Sequence, residues 1–128
     1  MESKPTKSFE SLIMWQEAHK MTLLVYKLTK HFPREELFGL SSQFRRAVVS
    51  ISANIAEGYK KRSSADKLRF MNISQGSLEE CRYYTILSKD LGYISDLEKS
   101  ELETYLSRTS YLLNTYCNKI IKNNKNFP

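Results

Sequence analysis

The chain predicts an all-α fold, an antiparallel up-down-up-down four-helix bundle, and three observations carry that expectation. Apolar side chains recur at three- and four-residue intervals through four long segments. The segments are separated by short polar breaks that hold Pro33, Gly92 and good capping residues. Few stretches show the period-two alternation that a half-buried strand requires.

The first helix is expected from Phe9 to Phe32, with Leu12, Trp15, Ala18, His19, Thr22, Val25, Tyr26, Thr29 and Phe32 on its buried stripe. Pro33 ends it, because proline has no N–H for the ladder and disfavours helix at the preceding residue. Arg34 to Gly39 form a connector with one helical turn. The second helix runs from Leu40 to Lys60, capped at Ser41 or Ser42, and buries Leu40, Phe44, Ala47, Val48, Ile51, Ile55 and Tyr59. Lys61 to Ser64 turn the chain, and Ser64 caps a third helix that reaches Leu91 and stops at Gly92 in the left-handed region. This helix is apolar on two sides, Leu68, Met71 and Leu78 on one, Phe70, Ile73, Cys81, Tyr84 and Leu87 on the other. Such breadth calls for more than one neighbour, and a second subunit would supply it. Ser95 and Glu98 make a capping box for the last helix, whose stripe is Leu102, Tyr105, Leu106, Thr109, Leu112, Leu113, Tyr116 and Ile120. The bundle therefore spans residues 9–122, with polar tails at 1–8 and 123–128.

The 128 residues suffice for one domain with a real core, and 41% apolar with 27% charged residues is a globular composition. No apolar run approaches the ~20 residues of a membrane span, and the first eight residues lack the apolar stretch of a secretory signal. A cytoplasmic location with no membrane partner is the expectation. Cys81 and Cys117 lie within helical periodicity with no C-x-x-C spacing, as buried thiols do.

Up-down-up-down connectivity sorts the formal charge of +6 into two poles. One pole collects Lys4, Lys7, Lys60, Lys61, Arg62, Lys67, Arg69, Lys119, Lys122 and Lys125, against Glu2, Glu10, Glu57 and Asp66. The other collects Glu35, Glu36, Asp90, Asp96, Glu98, Glu101 and Glu103, against Lys30, Arg34, Lys89 and Lys99. Two explanations compete. Charges placed to complement helix dipoles account for Lys60, Lys119, Asp96 and Glu98 but not for Lys67 and Arg69, which sit near a helix start. The other explanation is a phosphate-binding face, with Lys60, Lys61, Arg62, Lys67, Arg69, Lys119 and Lys122 as candidates for RNA or DNA. Arg45 and Arg46 flank the buried stripe of the second helix, where an interface or intrachain ion pair suits them better than nucleic acid. Asn54 and Glu57 read as a polar network at the corner between helices two and three, with Ser77 or Arg69 as partners. Gly76, in the middle of helix three, costs about 1 kcal/mol relative to alanine, so close approach of a helix or subunit is its expected reason.

The segments Phe9–Leu12, Trp15–Ala18, Gly39–Ala47 and above all Ser50-Ile51-Ser52-Ala53-Asn54-Ile55-Ala56-Glu57-Gly58-Tyr59 resemble the four-helix-bundle proteins encoded in intervening sequences of bacterial 23S ribosomal RNA genes. Phe70, Gly76–Glu80 and Leu91–Ile94 extend the match to most of the chain, and Ser52 departs from the proline common at its position. The resemblance implies an up-and-down bundle assembled as a homopentameric ring with a positively charged surface for nucleic acid, and no enzymatic activity. A distant relative is the accessory protein of diversity-generating retroelements, which implies a second role, a scaffold docking a partner enzyme such as a reverse transcriptase.

Catalytic chemistry finds no footing in the pattern. A di-iron bundle needs Glu-x-x-His on two helices, whereas Glu17 and His19 are two apart and His31 has no carboxylate three before it. Glu79 and Glu80 are adjacent and diverge, and no phosphate loop, nucleophile elbow or zinc spacing occurs. The expectation is no catalytic residue, metal, cofactor or small-molecule substrate. His19 reads as a hydrogen-bonded core histidine, and the tyrosines as packing residues.

Overall fold

The computed structural model describes residues 8–124. Of the tails expected at 1–8 and 123–128, residues 1–7 and 125–128, with Glu2, Lys4, Lys7 and Lys125, lie outside the described residues, whereas Asn123 and Asn124 continue the last helix. Four α-helices form: α1 (Ile13–Thr29), α2 (Leu40–Lys60), α3 (Ser64–Asp90) and α4 (Asp96–Asn124), with 3-10 turns at Phe9–Ser11 and Arg34–Glu36. Each packs against its sequence neighbours, α4 closes on α1, and among the described residues no diagonal pair brings its backbones close, so the architecture is the expected antiparallel four-helix bundle. Its interior holds Met21, Val25, Phe44, Val48, Ile51, Ile55, Met71, Leu78, Leu102, Leu106 and Leu113, each essentially out of water and contributing about 1.5–3 kcal/mol by burial.

The helix ends differ from the sequence expectation for local reasons. Phe9 does not begin α1: Leu12 is extended, and the Phe9 ring meets Trp15 edge-on at 5.0 Å. Ser8 belongs to this turn, its hydroxyl accepting from the Glu10 N–H at 3.3 Å. α1 ends at Thr29, after which His31 and Phe32 bond to carbonyls three residues back, tightening the chain ahead of Pro33 and turning Phe32 onto Tyr93. Neither Ser41 nor Ser42 caps α2. The cap is the Glu36 carboxylate, which accepts from the Leu40 N–H at 3.0 Å, while Ser41 is buried in the first turn. Ser63, rather than Ser64, caps α3, accepting from the Asp66 N–H at 3.1 Å. Gly92 has φ +81°, the left-handed conformation expected, and the Ser95–Glu98 capping box forms in both directions.

Two larger differences concern faces. His19 and Tyr26 are exposed on α1, so His19 is no core histidine; its imidazole stacks on Trp15 at 4.9 Å. In their place the core takes Glu17, whose carboxylate lies 3.6 Å from Lys20 and 3.4 Å from Arg108 and ties α1 to α4. α3 buries Ser74, Ser77, Thr85 and Ser88 beside Met71, Leu78 and Cys81, and leaves Ile73, Tyr83 and Ile86 outside. Small residues let α3 lie close to α2, where Ser74 donates to the Ile51 carbonyl at 2.9 Å.

Candidate nucleic-acid interface

The register of the helices decides which cations share a pole. Ser77 donates to the Ser50 hydroxyl at 2.8 Å, which aligns α3 antiparallel to α2. Gln75 donates to the Asn114 side-chain carbonyl, which aligns α4 with α3. The end of α2, the start of α3 and the last turns of α4 therefore lie level, and Lys60, Lys61, Arg62, Lys67, Arg69, Lys119 and Lys122 gather at one end of the bundle.

Within that group the side chains divide by what holds them. Lys67 donates to the Tyr59 carbonyl at 2.6 Å and lies 5.3 Å over the Tyr59 ring. It satisfies a carbonyl left open at the end of α2, and desolvation lowers its pKa below the ordinary lysine value. That local duty explains a cation the dipole of its own helix would disfavour. Arg69 pairs with Asp66 at 3.3 Å and covers Phe70 at 5.0 Å. Lys61 covers the same ring at 5.0 Å and reaches Glu57 at 3.9 Å. Lys60, Arg62, Lys119 and Lys122 are exposed and make no ion pair among the described residues. These four are the open charges of the pole, beside a groove between the Phe9 turn and α2 lined by Phe9, Ala53, Ala56, Tyr59, Lys60 and Lys61.

The opposite pole also carries two ion pairs. Lys89 meets Asp96 at 3.2 Å and Lys99 meets Glu103 at 2.9 Å. Glu36 accepts from Leu40 and from the Tyr93 hydroxyl at 2.9 Å, and those two donors hold its carboxyl below the usual carboxylate range. The same bond and burial raise the Tyr93 phenol.

The remaining sequence candidates separate. Arg45 donates to Thr29 Oγ1 at 2.8 Å and lies 5.1 Å over Tyr26, packing α2 on α1 with no ion pair among the described residues, while Arg46 is exposed. Asn54 donates to the Ser50 carbonyl and hydroxyl, so Ser50, which sequence reasoning passed over, joins Asn54 to Ser77. Glu57 stands outside this network, exposed beside Lys61, and Arg69 does not reach it. Gly76 is not a close-approach glycine within the chain, since a Cβ there would meet nothing within 4 Å. That role falls to Gly58, whose added Cβ would come 2.8 Å from Phe70 Cβ and 2.9 Å from Met71 Cε.

No cluster of three or more metal-ligating side chains occurs among the described residues. Cys81 and Cys117 are free and buried, and burial pushes both thiols above their ordinary pKa, which lowers their nucleophilicity. No described helix is long and apolar enough to cross a membrane.

Comparison with known proteins bears on the fold and the family. No curated protein matches the chain. A solved structure from Bacteroides thetaiotaomicron VPI-5482, a protein with unknown function from the S23 ribosomal protein family, superposes with a TM-score of 0.77. It shares 23% identity and covers 83% of this chain and 96% of its own, which shows the common fold. The family model of the 23S rRNA-intervening sequence proteins matches residues 10–115, most of the bundle including the Ser50–Tyr59 block. The chain belongs to the 23S rRNA-intervening sequence protein family.

Proposed function

We propose that this chain forms a homo-oligomer, a pentamer as the family resemblance implies, and binds RNA or DNA through its basic pole by contacting phosphates without reading sequence. The observation that carries the reading is the set of open cations, Lys60, Arg62, Lys119 and Lys122, brought level from α2, the following turn and α4. Each phosphate neutralised releases counterions, and a ring repeats the set around its axis. Four contacts per protomer correspond to a slope of log K against log salt of about −3.6, or about a 100-fold loss of affinity between 50 and 200 mM salt. A gel-shift series with duplex and single-stranded probes at rising salt tests this. Retention should fall with that slope on the duplex, with a slope of about −2.8 on the single strand, and be lost on both when the four residues are changed to glutamate. Absence of retention at low ionic strength, or retention indifferent to salt, overturns it.

A second reading, a scaffold docking a partner enzyme such as a reverse transcriptase, is favoured by Leu97 and Tyr111. These are 80% and 71% exposed and two heptads apart on one stripe of α4. Specific protein capture that survives the four glutamate substitutions but is lost with Leu97→Ser and Tyr111→Ser distinguishes it.

A further inference from the structure

Three surface features of this molecule have no use within a single chain. The first is Gly76. A glycine inside a helix is destabilising relative to alanine, and glycines are kept there where another backbone must come close. Gly58 meets that condition inside the bundle; Gly76 does not, since its Cβ position is open to solvent. The second is the shape of α3 around it. Ile73, Glu80 and Tyr83 lie three before, four after and seven after Gly76, so they surround it on one outward face. Ile73 is 45% and Tyr83 57% exposed, while serines and threonines of the same helix are buried. The third is the flank of α2 toward α1, where Tyr26, Leu37, Phe38, Ser42, Arg46 and Val49 line an open groove. Phe38 is 92% exposed there.

From these we infer that the α3 face centred on Gly76 docks on the Phe38–Arg46–Val49 flank of a second copy. The inference rests on the homo-oligomer reading above and assigns it two specific, unlike faces. Charge and height both match. Arg46 and Glu80 are exposed and form no ion pair among the described residues. Ser77 faces Ser50, and Tyr84 faces Phe44 with ring centroids 5.7 Å apart, so Glu80 stands level with the turn of α2 that carries Arg46. Two copies set side by side with no axial shift thus bring Glu80 of α3 to the height of Arg46 on the neighbour. Gly76, one turn away, lets the helices approach, and Tyr83 comes level with the apolar groove. Because the two faces differ, the contact is heterologous, and repeating it without axial translation closes a ring rather than extending a filament.

Sedimentation velocity on the full chain over a range of concentrations tests the assignment, with circular dichroism confirming that each variant keeps its helical content. Gly76→Gln places a Cβ that meets no atom of its own chain within 4 Å and should weaken assembly at least tenfold. Arg46→Glu and Glu80→Arg should each do the same, and the double variant should recover most of the loss. A wild-type chain that stays monomeric overturns both this inference and the homo-oligomer reading. A wild-type oligomer unaffected by Gly76→Gln and by both charge reversals overturns the face assignment alone. Loss in the single reversals without recovery in the double variant also overturns the pairing of Arg46 with Glu80. Phosphate binding by the basic pole, read separately in the gel-shift series, does not depend on these outcomes.

Discussion

Gly58 and Gly76 offer a matched test of what a glycine does in this bundle. Gly76 lies in the middle of α3 and Gly58 in the last turn of α2, so alanine gains helix propensity at both, up to about 1 kcal/mol. Only one has a neighbour. At Gly58 the new methyl would stand 2.8 Å from Phe70 Cβ and 2.9 Å from Met71 Cε, against an ordinary carbon–carbon contact of about 3.5–4.0 Å. Met71 Cε is the end of a flexible chain and can swing away. Phe70 Cβ is fixed to the backbone of α3, so α3 must retreat by several tenths of an ångström where it meets α2 at Gly58. Overpacking of that kind costs about 1–3 kcal/mol. Since alanine gains propensity in both variants, the difference between Gly58→Ala and Gly76→Ala is dominated by the steric cost, about 1–3 kcal/mol. Urea unfolding followed by circular dichroism measures it, at protein concentrations low enough that the midpoint no longer depends on concentration. In thermal melts the gap should be roughly 4–12 °C for a chain of this size. Equal shifts for the two variants would refute the reasoning, because then the α2–α3 approach does not depend on the missing Cβ.

Other expectations follow from particular contacts. Glu36 has a carboxyl held below its usual value near 4.5 by the Leu40 N–H and then the Tyr93 hydroxyl, so its contribution is present above the unfolded pKa and lost as pH falls through the lower folded value. Unfolding free energies at pH 6 and pH 3 should therefore differ less in Glu36→Gln than in the wild type; an unchanged difference refutes this. Ser50→Ala should cost about 1–3 kcal/mol, more than Ser77→Ala at about 1 kcal/mol, because it strands the buried Ser77 hydroxyl as well as freeing Asn54. Chemical denaturation ranks the two, and the reverse order would dismiss Ser50 as the bridge. Glu17 is buried but paired only with the exposed Lys20 and Arg108, so Glu17→Met should leave stability unchanged or raise it, and Arg108→Ala should lower it by less than about 1 kcal/mol. A loss of several kcal/mol in Glu17→Met would show that the carboxylate is required in the core.

The one-dimensional pattern was sufficient for the fold because the devices that define it are local. A run of Leu102, Leu106, Leu113 at helical spacing, a Ser95–Glu98 box and a Gly92 turn act over four to seven residues, and each appears in the structure where the spacing put it. The polarised distribution of charge was legible for the same reason, since short connections leave no freedom about which helix ends meet. What three dimensions decided is which side of each helix is inside and which charges are already occupied. Ser74, Ser77, Thr85 and Ser88 of α3 are buried and Ile73 and Tyr83 exposed, because close packing against α2 rewards small side chains more than it rewards apolar ones. Glu36 caps α2 from outside the helix, and Lys67 reaches back eight residues to Tyr59; both choices depend on how two segments meet in space. Periodicity measures a residue's average preference for water, whereas burial and pairing depend on the partner that the rest of the chain brings to it.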